Sequence, residues 1–252
     1  YYFYYFLTQL VNYFSDIIIS QCEFMKNDLI QNFHLKSINI QKIVTIYNPI
    51  ESAKIKQLSC NNSFSNIDYN TKKGPFLISV GRLEWQKGFD ILIKAMSSVK
   101  LKYPDFVLTI YGEGKEKESL QKLIFKNGLK NNISLQGYNK NPYYDISKSN
   151  LFLIPSRYEG FSNSIIESIA LGTPVVATDC PSGVREIIKN GENGWLCSKN
   201  EDEYISSFST TTLASLDKIN SLNMDIESKK IIAKFGQEIF ADKVDQLIKN
   251  NF

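Results

Sequence analysis

The sequence predicts an α/β protein built on a doubly wound parallel sheet of Rossmann-like type. Three observations predict it. From Pro75 onward, short apolar runs alternate with longer segments of helical periodicity. The apolar runs, such as Phe76-Leu77-Ile78-Ser79-Val80 and Leu151-Phe152-Leu153-Ile154, are of the buried-strand type. Several runs end in glycine-bearing turns that lead straight into a helix, at Gly81, Gly112 and Gly160.

The elements follow in order. Tyr1 to Leu7 is strongly aromatic, and the apolar character fades by Phe14, too short a stretch to span a membrane. A buried or interfacial helix is expected there. Asp16 to Ser20 reads as a strand, Glu23 to Phe33 as a helix, and Lys42 to Tyr47 as a second strand before Asn48-Pro49. Glu51 to Lys73 is polar, lacks periodicity and reads as a linker. Strands are then expected over Phe76–Val80, Phe106–Tyr111, Ile133–Gln136, Leu151–Ile154 and Val175–Ala177. Helices are expected over Asp90–Val99, Lys115–Phe125 and Ser164–Leu171. Leu92, Ala95, Met96 and Val99 share one helix face. Pro181-Ser182-Gly183 turns into a further helix, and Asn190 to Gly194 makes a double turn before Trp195-Leu196. The tail from Tyr204 is helical, with Ile231, Ile232, Phe235, Ile239 and Phe240 in one packing stripe. The expected organisation is 1–47, a linker 48–74, the main domain 75–235 and a packing helix 236–252.

Chemistry concentrates at two strand ends. Glu159 lies in the loop after Leu151–Ile154, and Glu167 lies one turn into the next helix. Ligands of open α/β sheets bind at such carboxyl ends. Gly160 lets backbone approach a ligand, and the helix start at Ser162, Asn163 and Ser164 offers N–H groups to an anion. Carboxylates beside an anion site suit hydroxyls that flank a phosphate. Ser164-x-x-Glu167 also fits a capping box, with Glu167 bonding backbone. After Phe76–Val80, the run Gly81-Arg82-Leu83-Glu84-Trp85-Gln86-Lys87-Gly88 brings two cations to another strand end. A guanidinium and an ammonium converging there suit a diphosphate; two solvated surface cations are the alternative. Lys87 is followed by Gly88, so this is no Walker A loop. Tyr111-Gly112-Glu113-Gly114 lacks the third glycine of a dinucleotide fingerprint, because Lys117 stands there, and reads as a tight turn.

Gly-Arg-Leu with Lys-Gly, then Glu-Gly-Phe with its second Glu, then Gly172-Thr-Pro-Val-Val-Ala-Thr178, then Asn190-Gly-Glu-Asn-Gly194, in this order, resemble glycosyltransferase family 4. The resemblance spans roughly Tyr47 to Leu196. It implies one half of a two-domain B-type fold, the donor-binding domain, with residues 1–47 closing a truncated N-terminal acceptor domain. It implies a retaining transferase that moves a sugar from a nucleotide diphosphate sugar to a glycan or lipid-linked acceptor. Arg82 and Lys87 would hold the diphosphate and Glu167 the ribose. Glu159 would lie at the donor sugar, with Gly81, Gly160, Phe161, Ser162, Asn163 and Ser164 around it. Uridine is expected by family frequency, with the loop around Tyr138 to Pro142, after strand Ile133–Gln136, contacting the base, Tyr138 among its residues. Asp179 to Gly183 is similar to members that build bacterial surface polysaccharides. The implied setting is cytoplasmic, with peripheral membrane association through the N-terminal domain. No cofactor and no metal are implied, and no Asp-x-Asp motif is present. Residues 1–252 alone are expected to be inactive.

Composition fits this reading. The 252 residues are 43% hydrophobic with a net charge of +3, too small to imply nucleic acid. Four scattered cysteines and the single His34 form no metal motif and read as reduced thiols. Two other classes remain open: a glycoside hydrolase using both glutamates, and a non-catalytic nucleotide-sugar-binding module.

Overall fold

The computed structural model describes residues 13–32, 40–63 and 73–251 except 201, together with residues 7, 10, 65, 67 and 69. The aromatic start, Tyr1 to Phe6, lies outside the described residues. Near the N-terminus, strands β1 (Ile18–Ser20) and β2 (Ile43–Thr45) pair in parallel, with helix α1 (Glu23–Asn32) between them in sequence. A short helix, α2 (Ser52–Ser59), follows. The stretch expected to be a linker without periodicity therefore contains a helix. Ile55 is its one fully buried residue, which leaves too few apolar positions to show a period.

A six-stranded sheet forms the centre. Its strands are β3 (Phe76–Val80), β4 (Val107–Tyr111), β5 (Ile133–Gly137), β6 (Leu151–Ile154), β7 (Val175–Thr178) and β8 (Gly194–Cys197). They pair in the order β5-β4-β3-β6-β7-β8, and every pairing is parallel. The chain winds outward from β3 to β5, then returns to β6 on the other side of β3. The winding thus reverses between β3 and β6, where open α/β sheets leave a crevice. All four residues of β6 and of β7 are buried, which explains their unbroken apolar character.

Helices cover both faces. Helices α3 (Phe89–Lys102), α4 (Lys117–Lys126) and α8 (Tyr204–Lys218) pack one face through Leu92, Met96, Leu120, Ile124 and Phe208. The other face takes α5 (Tyr143–Lys148), α6 (Asn163–Ala170), α7 (Val184–Ile187) and α9 (Met224–Phe235), with α2 alongside. Ile146, Ile165, Ile169, Ile187 and Phe235 fill that layer. The expected face of Leu92, Ala95, Met96 and Val99 is fully buried.

The tail stripe is divided. The helix breaks at Gly236, whose backbone is extended, and α10 (Gln237–Asn251) begins beyond it. Ile231 and Phe235 are buried, whereas Ile239 and Phe240 are 39% and 36% exposed. The break has a partner: the N–H of Ile50 donates to the carbonyl of Phe235 at 2.8 Å, and Ile50 bridges to Gly236. The N-terminal pair is fastened by Glu186 of α7. Its carboxylate accepts the N–H groups of Glu23 and Phe24, at the start of α1, and the Tyr47 hydroxyl at 2.7 Å.

Candidate functional site

The loops after β3 and β6 meet at the reversal point. Gly88 closes the first loop with φ 68°, and a Cβ there would lie 2.0 Å from the Pro155 carbonyl oxygen. Only glycine permits that approach and that backbone. The loops are then zipped together. The Arg157 N–H donates to Gln86 O at 2.9 Å, Gln86 Nε2 to Tyr158 O at 3.1 Å, and Arg157 Nη1 to Trp85 O at 2.7 Å. Arg157 also grips Asp90 of α3 through two bonds of 2.8 Å. From α8, the Tyr204 hydroxyl meets the Pro155 and Ser156 carbonyls. The loop after β4 presses in as well: a Cβ on Gly112 would lie 1.8 Å from Gly81 O. That close approach is the physical reason for the Tyr111-Gly112-Glu113-Gly114 turn.

This rim carries an ion pair. Lys87 Nζ lies 2.6 Å from Glu159 Oε1, and the Ser156 hydroxyl donates to the same oxygen at 2.6 Å. Their side chains are only 20% and 9% exposed. The Lys87 stem lies beside Gly81, where a Cβ would come 3.6 Å from Lys87 Cδ. Neither residue is near the other in sequence; the sheet order joins them. Arg82 stands on the same rim but is exposed, with its guanidinium 3.5 Å from Gln86 Oε1.

Helix α6 starts four residues beyond Glu159, so its first N–H groups have no partner within the helix. Ser162 is buried at the N-cap position, its hydroxyl 3.2 Å from that of Ser164. Asn163 is exposed, and Asn48 Nδ2 donates to its Oδ1 at 3.1 Å. Phe161 turns its ring inward against Tyr47 and Phe235, at centroid distances of 5.4 and 5.6 Å. Its side chain is core, and only its backbone remains for a ligand.

Glu167 is half-buried on α6, and it does not cap the helix. Ser162, not Ser164, holds the cap position, and the polar partner of Glu167 is the Tyr143 hydroxyl at 3.4 Å. The carboxylate lines a cleft of about 240 Å³ with Pro49, Glu51, Lys54, Leu58, Tyr143 and Asn163. Burial pushes its pKa up to about 7, against the opposing pull of the Tyr143 hydroxyl. Tyr138, expected at the base, is 78% exposed and lies outside this lining. Tyr143, which sequence reasoning missed, occupies the cleft. Its helix has six residues, too few to show a period. The only local signal was Pro142 before it.

A partly buried cation–carboxylate pair and helix N–H groups lie at the start of α6, and a second carboxylate, further along the same helix, lines a cleft. Such a set can hold an anion at one end and hydroxyls at the other. Among the described residues, no three His, Cys, Asp or Glu side chains are grouped to hold a metal ion. No helix among them is long and apolar enough to cross a membrane.

The chain is similar to known proteins over this region. The model of the family "Glycosyl transferases group 1" matches residues 64–212. An uncharacterized glycosyltransferase of Methanocaldococcus jannaschii is 42% identical over 177 residues, covering 69% of this chain and 42% of that protein. The N-acetylgalactosamine-N,N'-diacetylbacillosaminyl-diphospho-undecaprenol 4-alpha-N-acetylgalactosaminyltransferase of Campylobacter jejuni is 36% identical over 191 residues, covering 76% and 49%. The chain thus spans about half the length, or less, of these two relatives. The pneumococcal O-GlcNAc transferase, solved with UDP and GlcNAc, superimposes with a TM-score of 0.75 at 25% identity, over 93% of this chain and 45% of that one. The parallel sheet with helices on both faces is the Rossmann-like half of a B-type glycosyltransferase. With its model matched across more than half of the residues, the chain belongs to the glycosyl transferases group 1 family.

Proposed function

We propose that this chain is the donor-binding half of a retaining glycosyltransferase that uses a nucleotide diphosphate sugar, with UDP-hexose the favoured donor. The observation that carries the reading is the meeting of Lys87 and Glu159 at the sheet's reversal point, beside the cleft that contains Glu167. The diphosphate would lie at Lys87 and Arg82 and at the start of α6. The ribose would lie on Glu167, and the donor sugar at Glu159 and the backbone of Gly160 to Ser164. As the bond from the sugar to the diphosphate breaks, negative charge grows on phosphate oxygens. Fixed cations and helix N–H groups lower that barrier because they need not reorganise. Lys87 rests on Glu159; a bound diphosphate would compete for the ammonium and free the carboxylate for sugar hydroxyls.

Support for uridine comes from the pneumococcal enzyme, solved with UDP. Support for a glycan or lipid-linked acceptor comes from the Campylobacter relative, whose name carries a diphospho-undecaprenol glycan. A role in surface polysaccharide synthesis at the cytoplasmic face of a membrane extends that reading, and retention extends the family resemblance. The Lys87–Glu159 pair disfavours a glycoside hydrolase, since a hydrolase has no diphosphate to hold and Glu159 is already engaged. The test is titration of the protein with UDP, uridine and UDP-glucose. The reading predicts that UDP binds at least tenfold more tightly than uridine. Equal affinities, or no binding of UDP, would remove it.

A further inference from the structure

We propose that Asp145 is a positioning residue, which holds α5 so that the Tyr143 hydroxyl stands against Glu167. Its consequence for ligand binding rests on the nucleotide reading above. Asp145 is fully buried on the same short helix as Tyr143. Its carboxylate accepts from Tyr111 at 2.5 Å, from Ser65 at 2.5 Å, and from the Tyr69 hydroxyl. Tyr111 ends β4, so one bond ties α5 to the central sheet. Ser65 and Tyr69 belong to the crossover between α2 and β3 and lie on the carboxylate's other oxygen.

A carboxylate is a costly way to fill a buried space unless it accepts several donors. An apolar side chain would pack there at lower cost but would fix no direction. Three hydroxyls on two oxygens do fix one. A helix of six residues has little stability of its own, so such anchors set its orientation. A second anchor acts on the same helix, where Thr173 Oγ1 donates to Ile146 O at 2.6 Å. Tyr143 precedes Asp145 by two residues. Its contact to Glu167, at 3.4 Å, is near the limit of a hydrogen bond, so a small rotation of α5 removes it. Glu51 and Lys54 of the neighbouring wall face the same cleft, at its exposed mouth.

The test reads Glu167 directly in the ligand-free protein. Carboxyl titration is followed by NMR, with the Glu167 signal identified by its loss in Glu167→Gln. Tyr143→Phe removes the hydroxyl and should raise the Glu167 midpoint. Asp145→Asn keeps the volume but offers one acceptor oxygen in place of two. It should raise the midpoint to the same value, and the double variant should add nothing further. Should Asp145→Asn not fold, Tyr111→Phe cuts the tie to the sheet and should shift the midpoint in the same direction. A folded Asp145→Asn, or failing that Tyr111→Phe, with an unmoved midpoint overturns the proposal, whatever its melting temperature. UDP affinity is measured in parallel and should fall roughly two- to tenfold in Asp145→Asn, the worth of one hydrogen bond. Wild-type protein that ignores UDP would count against the nucleotide reading alone, because the midpoints still decide the role of Asp145.

Discussion

Glu167→Gln separates a binding carboxylate from a structural one, and its effects have opposite signs on stability and on binding. Burial raises this carboxyl from 4.5 to about 7 in the folded chain. The native state therefore holds the proton more tightly than the unfolded state. The contribution of Glu167 to stability is fully present below about pH 4.5 and is lost as pH rises through about 7, where the folded protein must bury a charge. The shift corresponds to about 3 kcal/mol as an upper bound. Glu167→Gln removes that penalty. It should match the wild type in stability near pH 4 and exceed it above pH 7. Nucleotide binding should move the other way. Two ribose hydroxyls donating to the carboxylate favour its charged form, whereas Gln has one acceptor oxygen. Affinity should fall by about 1.5–3 kcal/mol. Binding at pH 7 should also expel a fraction of a proton from Glu167, since its raised carboxyl is partly protonated there. Calorimetry in buffers of different ionisation enthalpy reads this release. Uridine as ligand avoids the titration of the phosphate itself. Glu167→Gln that binds uridine as the wild type does, with the same proton release, would show that Glu167 does not hold the ribose.

Three further outcomes follow from the site. Lys87→Ala and Arg82→Ala should each weaken UDP by about 1.5–3 kcal/mol and leave uridine nearly untouched; equal losses for both ligands would take these cations off the phosphates. Glu159→Gln should spare UDP and weaken UDP-sugar, as titration with both ligands would show, whereas a matching loss for UDP would place Glu159 elsewhere. Gly88→Ala should destabilise the protein by more than the roughly 1–2 kcal/mol of a left-handed non-glycine residue, because its Cβ would also strike Pro155 O at 2.0 Å; a melting temperature unchanged from wild type contradicts this.

Much of the architecture was legible because it is written locally. Buried parallel strands such as Leu151–Ile154 are unbroken apolar runs, and α3 shows its buried face at helical spacing. Glu159, Arg82 and Lys87 were legible as residues of strand-end loops, and Glu167 as a residue of the helix that follows, for the same reason. What stayed hidden is non-local or too short to carry a period. The Lys87–Glu159 contact depends on β6 returning beside β3, which no local pattern states. The Ser164-x-x-Glu167 spacing permitted a capping box, and the decision went to Ser162 because the chain enters the helix two residues earlier. Helices α2 and α5, and with α5 the cleft residue Tyr143, have too few buried positions to show a face. The break at Gly236 depends on Ile50, far away in sequence, drawing off the Phe235 carbonyl.

The most direct measurement is a structure of this protein with UDP bound. The account predicts ribose hydroxyls on Glu167, the diphosphate at Lys87 and the start of α6, and the Lys87–Glu159 contact loosened from its present 2.6 Å. UDP seated elsewhere with the Lys87–Glu159 pair intact, or a cleft left empty at saturating UDP, would contradict it.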